Sequence, residues 1–119
     1  MDNQGLSEIE KKTKIFFHSF GYDVKSEGKY PAWKPNINDF SKLVFAQTQK
    51  VFGTAEYKAI HAGLECAVIS DIYPNIKIAS IGPNIRSPHS THEKVEIASV
   101  SKVYNVVTSI IEQVNHDLL

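Results

Sequence analysis

The sequence has one cysteine, no excess of either charge and no long apolar run, and each shortage excludes a class of protein. Cys66 stands alone, so neither an internal disulfide framework nor a paired-cysteine metal knuckle can form. Thirteen basic residues balance thirteen acidic ones, so no net positive field attracts nucleic acid or an anionic membrane. No apolar run approaches the ~20 residues that span a bilayer, and the first residues lack the basic and apolar regions of a secretory signal. We therefore expect a cytoplasmic protein with no nucleic-acid or membrane partner.

Four segments carry the hydrophobic spacing of helices. They are residues 6–20, 38–52, 63–70 and 98–116. Ser7 is the predicted N-cap of the first helix, and Asn38 or Asp39 that of the second. The last segment is the strongest, with a predicted core-facing stripe made of Val100, Val103, Val107, Ile110, Ile111 and Val114.

Short apolar segments between these helices are predicted as strands. They are residues 22–26, 57–61, 76–81 and 95–97. The clearest is 76–81, an alternating run bounded by Pro74 and Pro83. Helices that alternate with short strands indicate an α/β fold.

A connector with two prolines divides the chain. Pro31 and Pro35 flank Trp33 and force an extended path. We expect one domain segment over residues 1–31 and another over 32–119. The first is too small to fold alone, because one helix and one strand cannot bury both faces of a sheet. The sequence therefore predicts that a further part of the fold lies upstream.

His61, Gly63 and Glu65 form the first candidate site. His61 and Glu65 lie four residues apart, so on a helix they would share a face and could bind a metal or each other. The alternative is a histidine at a strand end and a glutamate on the first turn of a helix. Gly63 either lets the backbone approach a ligand closely or is an ordinary turn glycine.

The second candidate site is the Gly/Pro/Ser/Asn-rich loop of residues 82–92. His89 lies between Pro88 and Ser90, where a rigid backbone suits a metal ligand or an acid–base group. The alternative is a solvent-exposed loop histidine. His92 adds a His-x-x-His spacing, but zinc usually needs three or four protein ligands, so this pair alone would bind weakly.

Several motifs, taken in order, resemble one enzyme family. They are His61-Ala-Gly-Leu-Glu-Cys66, a Tyr-Pro-Asn turn at 73–75, Ile81-Gly-Pro, and Pro-His-Ser-x-x-Glu-Lys-Val at 88–95, after an upstream Gly-Lys-Tyr-Pro-Ala-Trp-Lys-Pro at 28–35. Together they resemble the C-terminal end of the aminoacyl-histidine dipeptidases. These are the Xaa-His or carnosine-type members of the aminoacylase/carboxypeptidase superfamily of zinc peptidases. The likeness covers about residues 21–115.

The resemblance implies both a fold and a site. Residues 1–31 would be the last helix and strand of a lid domain, and 32–119 the C-terminal part of an α/β catalytic domain that bears two zinc ions. His89 would be the last metal ligand, and the Gly63 backbone would contact substrate. His61 and Glu65 belong to the same motif without a defined role. The family usually reads Ser-Pro-Asp-Glu after the ligand histidine, whereas this chain has Thr91 and His92 at the two middle positions.

The rest of the family's site is missing from this sequence. A His-x-Asp-x-x-Pro motif, a bridging aspartate, a Glu-Glu pair with the general base and a further acidic ligand are all absent. The complete enzyme would hold two zinc ions and a dipeptide, and would use the metals to polarise the scissile carbonyl of an Xaa-His substrate. This chain alone would hold one zinc ion or none. We assign it no catalytic residue and expect it to be inactive.

Two classes of function follow. The chain is either the C-terminal segment of a zinc dipeptidase or a non-catalytic binding or oligomerisation module derived from one. Between them lies a chain that complements a separate N-terminal half. An exposed apolar sheet edge would favour an enzyme segment or a complementing chain, and a compact monomer with a satisfied surface would favour a module. The expected partners are an N-terminal half or a second copy.

Overall fold

Helices dominate the part of the chain that the structure describes, where sheet is limited to one short strand pair. The computed structural model of the chain describes residues 2–60 and 62–117. In chain order the described elements are α1 (Asn3–His18), α2 (Asp39–Phe52), α3 (Glu65–Ile72), β1 (Ile85–Arg86), β2 (Lys94–Val95) and α4 (Ile97–Asp117). In the described part of the chain, no helix combines the length and the apolar character that crossing a bilayer requires.

The chain forms two compact units. The first unit is Met1–Asn36 with Ala59–Ile76, and the second is Ile37–Lys58 with Lys77–Leu119. The first therefore contains α1 and α3, and the second contains α2, the strand pair and α4. The boundary between a lid-domain segment (residues 1–31) and a catalytic-domain segment (residues 32–119) stays a prediction.

Helix α1 begins earlier than its sequence pattern indicated. The Asp2 carboxylate accepts the Gly5 N–H at 2.8 Å and caps the helix. Ser7 lies inside the helix, so the prediction that it caps α1 was wrong. Asp2, five residues before Ser7, accepts one of the free N–H groups at the helix start, and the helix begins there. At the other end Gly21 takes a φ of 85° and donates its N–H to the His18 carbonyl at 2.9 Å.

A carboxylate on α1 gathers several donors in the first unit. Glu10 accepts from Lys14 Nζ at 2.7 Å and lies 3.1 Å from Lys29 Nζ. Hydrogen bonds from Lys14, then Ser26 and Lys29, stabilise the charged form and lower the pKa of Glu10 to about 2. The network joins α1 to the extended segment that follows it.

Helix α2 agrees with its sequence prediction. Asn38 and Ser41 form a reciprocal cap, in which each side chain accepts the backbone N–H of the other at 3.1 and 2.9 Å. Gly53 ends the helix with a φ of 81° and donates its N–H to the Gln49 carbonyl at 2.8 Å. The left-handed conformation at this point is one that glycine adopts without steric cost.

Three of the predicted strands do not form in the described residues. Residues 22–26, 57–60 and 76–81 have no assigned secondary structure, and His61 lies outside the described residues. An alternating pattern makes a strand only when a neighbouring strand takes its backbone hydrogen bonds. Within the described residues that partner is available only to β1 and β2. The structure is therefore mixed and mainly helical, as a fragment of an α/β domain would be.

The core of the second unit lies where α4 packs on α2. Val44 on α2 is 6% exposed, and Val106 on α4 is 1% exposed. The Phe45 ring stacks on Tyr57 with centroids 4.8 Å apart, and the Tyr57 hydroxyl donates to the Ser41 carbonyl at 3.3 Å. These contacts fix the turn after α2 against the helix.

The buried face of α4 differs from the predicted one. The helix itself was predicted correctly, but Val106 was not among the residues assigned to the core. Val100 and Val107, which were, are 47% and 41% exposed. The apolar residues of α4 cover more than one face of the helix. Hydrophobic spacing alone therefore placed the centre of the core-facing stripe about 100° around the helix axis from Val106.

Adjacent valines on α4 test this assignment. Val106→Ala should lower the free energy of unfolding by roughly 2 kcal/mol, because it opens a space at the α2–α4 contact. Val107→Ala, the matched control, should cost much less, about 0.5 kcal/mol, since 41% of that residue is already exposed. Urea unfolding monitored by circular dichroism measures both. Equal losses in the two variants would contradict the burial described here.

Candidate functional site

The loop that carries His89 is closed by the strand pair of the second unit. Ile85 lies opposite Val95 and Arg86 opposite Lys94 in an antiparallel ladder. Residues 87–93 connect the two strands, so both ends of the loop are held within one strand spacing. The segment predicted as a loop over residues 82–92 is thus in part a hairpin.

The backbone at His89 has an unusual conformation for a side chain of its size. Its φ is 60°, and that of Ser87 is 50°, with Pro88 between them. The left-handed region costs an L-residue roughly 1–2 kcal/mol. The Glu93 carboxylate offsets this cost, because its Oε2 accepts the His89 N–H at 2.7 Å. Glu93 thus holds the chain in the turn that presents the histidine.

Ser90 completes the inner bonding of the loop. Its hydroxyl donates to the Ser87 carbonyl at 2.8 Å and accepts the His92 N–H at 3.2 Å. Its carbonyl accepts the Glu93 N–H at 3.1 Å. The loop therefore keeps a defined shape with Thr91 and His92 in the positions where the dipeptidase pattern has proline and aspartate.

A buried serine ties this hairpin to α4. Ser99 is 1% exposed, and its hydroxyl accepts the Asn84 N–H at 2.8 Å while donating to the Glu96 carbonyl at 2.6 Å. The Glu96 N–H in turn donates to the Asn84 carbonyl at 2.9 Å. The residue before β1 and the residue after β2 are both held at the start of α4.

The metal-binding donors of the loop do not make a zinc site by themselves. His89 and His92 are both exposed. Among the described residues no three histidine, cysteine, aspartate or glutamate side chains are grouped so that they could hold a metal ion. Zinc sites in proteins use three or more such donors. The described residues alone therefore do not fit the ion that the resemblance implies.

Gly63 and Glu65 belong to the first compact unit, whereas the His89 loop belongs to the second. A Cβ added at Gly63 would come within 3.1 Å of the Tyr30 ring, so a close aromatic neighbour accounts for the missing side chain here. Glu65 is exposed and is the first residue of α3, where a carboxylate complements the helix dipole. His61 falls on a position outside the described residues.

Three positioning residues were not identified from the sequence. Glu93 and Tyr30 were noted only as members of the quoted motifs, and Ser99 was given no role. A glutamate four residues after a Pro-His pair is a signal that could have indicated Glu93, since the spacing allows a carboxylate to close a turn. The contact between Ser99 and Asn84 joins residues 15 positions apart, and that between Tyr30 and Gly63 joins residues about 30 positions apart. A local sequence pattern does not reveal contacts over such separations.

Removal of the Glu93 carboxylate should loosen the loop. In Glu93→Ala the His89 amide loses a charge-assisted hydrogen bond of about 1.5–3 kcal/mol, so its hydrogen exchange should speed up by roughly tenfold or more. Glu112→Ala on the exposed side of α4 is the control and should leave that amide unchanged. Exchange followed by nuclear magnetic resonance measures the effect. An unchanged His89 rate in Glu93→Ala would contradict this role.

Loss of the Ser99 hydroxyl should destabilise the hairpin and its helix together. Ser99→Ala removes the acceptor of the part-buried hydrogen bond from the Asn84 N–H, at a cost of about 1 kcal/mol in unfolding free energy. Ser101→Ala, an exposed serine on the same helix, is the matched control and should change little. Denaturant unfolding of both variants gives the comparison, and equal stabilities would show that Ser99 does not anchor the loop.

Comparison with known proteins identifies a relative of this chain. No protein-family model matches the chain. The cytosol non-specific dipeptidase of Escherichia coli (strain K12) is 36% identical over 96 residues, which are 79% of this chain and 20% of that protein. The chain therefore spans about a fifth of the length of the relative it matches. The kinship that the motifs around His61 and His89 indicated is confirmed: this chain is related to a dipeptidase over most of its length.

Proposed function

We propose that this chain is the C-terminal part of a metal-dependent dipeptidase. The observation that carries the proposal is the 36% identity to a dipeptidase over 79% of the chain. The anchored hairpin supports it, because a ligand histidine must be held in one orientation before it can contribute to a shared site. On this view residues 1–31 belong to a lid domain and residues 32–119 to the α/β catalytic domain.

In this proposal His89 is one zinc ligand of a site whose other donors come from elsewhere in the enzyme. The exposure of His89 is consistent with such a role, since a side chain at an incomplete site has no neighbour to cover it. Gly63 would offer backbone to the substrate, and His61, Glu65 and His92 would line the site. Because the described donors do not fit zinc alone, we derive no catalytic step for the isolated chain.

The substrate of the complete enzyme would be a dipeptide. The motif resemblance favours Xaa-His dipeptides, while the relative carries the description non-specific. We also propose a cytoplasmic location, because the related dipeptidase is named a cytosol enzyme. A second candidate, a non-catalytic module that binds a partner or a second copy, is favoured by the lack of a three-donor cluster among the described residues.

The isolated chain should not hydrolyse dipeptides. With zinc supplied, turnover of β-alanyl-histidine should equal that of a His89→Ala variant, because no general base and no second ligand set is present. Release of free histidine, measured by chromatography, tests this. Turnover clearly above the His89→Ala control would contradict the argument from missing ligands.

A chimera tests whether this chain can act as the C-terminal part of a dipeptidase. In the Escherichia coli dipeptidase, the segment equivalent to this chain is replaced by this chain. The chimera should hydrolyse dipeptides, and His89→Ala should reduce its kcat/KM by about 100-fold or more, as loss of a metal ligand does. His92→Ala, three residues along the same loop, should reduce it much less. A folded chimera whose activity survives His89→Ala would exclude His89 as a ligand.

A further inference from the structure

The motif at residues 28–35 brings an aromatic ring to Gly63. Its tyrosine, Tyr30, meets the glycine inside the first compact unit, although about 30 positions of sequence separate them. A Cβ placed on Gly63 would lie 3.1 Å from Cδ1 of the Tyr30 ring, 3.2 Å from Cγ and 3.5 Å from Cε1. One side of the ring therefore rests against the glycine backbone.

The glycine at position 63 is required by space and not by backbone conformation. Gly63 lies outside the left-handed region, whereas three other glycines of the described chain lie in it. Its backbone angles therefore admit a β-carbon, and what opposes one is the Tyr30 ring at 3.1 Å, closer than optimal carbon–carbon contact. The residue type at 63 and the position of the ring thus depend on each other.

Tyr30 is held in place from both sides along the chain. Lys29 Nζ lies 3.1 Å from the Glu10 carboxylate of α1. The Ala32 N–H donates to the Asn3 side chain of the same helix at 2.7 Å. The proline that follows the tyrosine confines it to extended backbone. These restraints keep the ring beside the glycine.

The contact between Tyr30 and Gly63 is open to solvent. Tyr30 is 51% exposed, and Gly63 is exposed as well. Within residues 2–60 and 62–117, no hydrogen bond engages the Gly63 N–H or carbonyl. A packing contact stabilises a fold in proportion to the apolar area that it removes from water, and this one removes little. An anchored ring beside a free backbone is typical of a binding surface, where aromatic side chains supply rigid contact area at low entropic cost.

We propose that the Tyr30 ring is a specificity-determining contact of the dipeptide substrate. A planar side chain of the substrate packs on the ring, while the peptide groups of the substrate meet the Gly63 backbone. The inference rests on the proposed function, in which Gly63 offers its backbone to the substrate. It adds the residue that selects the substrate side chain.

A histidine in the substrate suits this ring. The imidazole is planar, and aromatic rings attract one another in offset or edge-to-face arrangements with centroids about 4.5–7 Å apart. A protonated imidazole is attracted further by the negative face of the phenol ring. An alanine side chain at the same place covers little of the ring. We therefore expect Tyr30 to favour Xaa-His over Xaa-Ala dipeptides.

The contact itself is tested in the isolated chain by nuclear magnetic resonance. A ring shifts the signals of nearby protons, so the Gly63 α-protons should move toward their ordinary position in Tyr30→Leu. Tyr22→Leu is the matched control, because that tyrosine is 63% exposed and its ring contacts Phe17 instead. It should leave the Gly63 signals unchanged. Unchanged signals in Tyr30→Leu would remove the contact on which the inference depends and so overturn it.

Substrate selection is tested in the chimera with the Escherichia coli dipeptidase. The measured quantity is the ratio of kcat/KM for alanyl-histidine to kcat/KM for alanyl-alanine. Tyr30→Leu should lower this ratio about two- to tenfold, because the contact between the two rings is lost. Tyr30→Phe keeps the ring and should keep the ratio, as should Tyr22→Leu.

Three results in an active chimera would overturn the inference. The first is a constant ratio in Tyr30→Leu, even where both kcat/KM values fall, since a tyrosine that only supports the fold affects both substrates alike. The second is an equal rise of both values, which would make the ring an obstruction at Gly63. The third is a ratio lowered by Tyr30→Phe, which would assign the selection to the hydroxyl group instead of the ring.

Failure of the proposed function gives a different result. A folded chimera that is inactive, or whose activity survives His89→Ala, refutes the proposed function and the inference with it. A chimera that depends on His89 but keeps its ratio in Tyr30→Leu refutes the inference alone.

Discussion

The link between the strand pair and α4 in the second unit depends on the buried hydroxyl group of Ser99. Ser99 sits at the start of α4, and its one oxygen accepts from the residue before β1 and donates to the residue after β2. Because the hydroxyl both donates and accepts, it leaves no buried polar group unsatisfied at this junction. The helix is itself fixed by its contact with α2 through Val106. The orientation of the His89 hairpin thus follows from the packing of two helices.

Local sequence predicted the helices well and the strands badly, for a physical reason. The boundaries of α2 follow from two residues that act within one helical turn. The Asn38 side chain caps the start of the helix, and the left-handed backbone of Gly53 ends it. Residues 76–81 have an equally clear alternating pattern, but a strand there needs backbone hydrogen bonds from residues distant in sequence. For α4 the pattern was read correctly as helix, yet it could not say which of two apolar sides meets α2.

The loop of the candidate site was predictable from the sequence but its conformation was not, and the role of His89 stays a prediction. Pro88 and the motif around His89 marked the loop, and the kinship with a dipeptidase confirmed what the motif resembled. The left-handed backbone at His89 was not predictable, because histidine rarely adopts it without support. That support comes from Glu93, whose carboxylate lies at the end of the same loop. Gly63 was marked as a special glycine, but its neighbour Tyr30 could not be foreseen.

The cluster around Glu10 gives the first unit a particular response to acid. With its pKa lowered to about 2, Glu10 stays charged in the folded chain at acidities where it would be protonated in an unfolded one. The stabilisation is therefore complete above the ordinary pKa of 4.5 and is lost only as the pH falls from there toward 2. The link between α1 and Lys29 consequently persists through mild acidification.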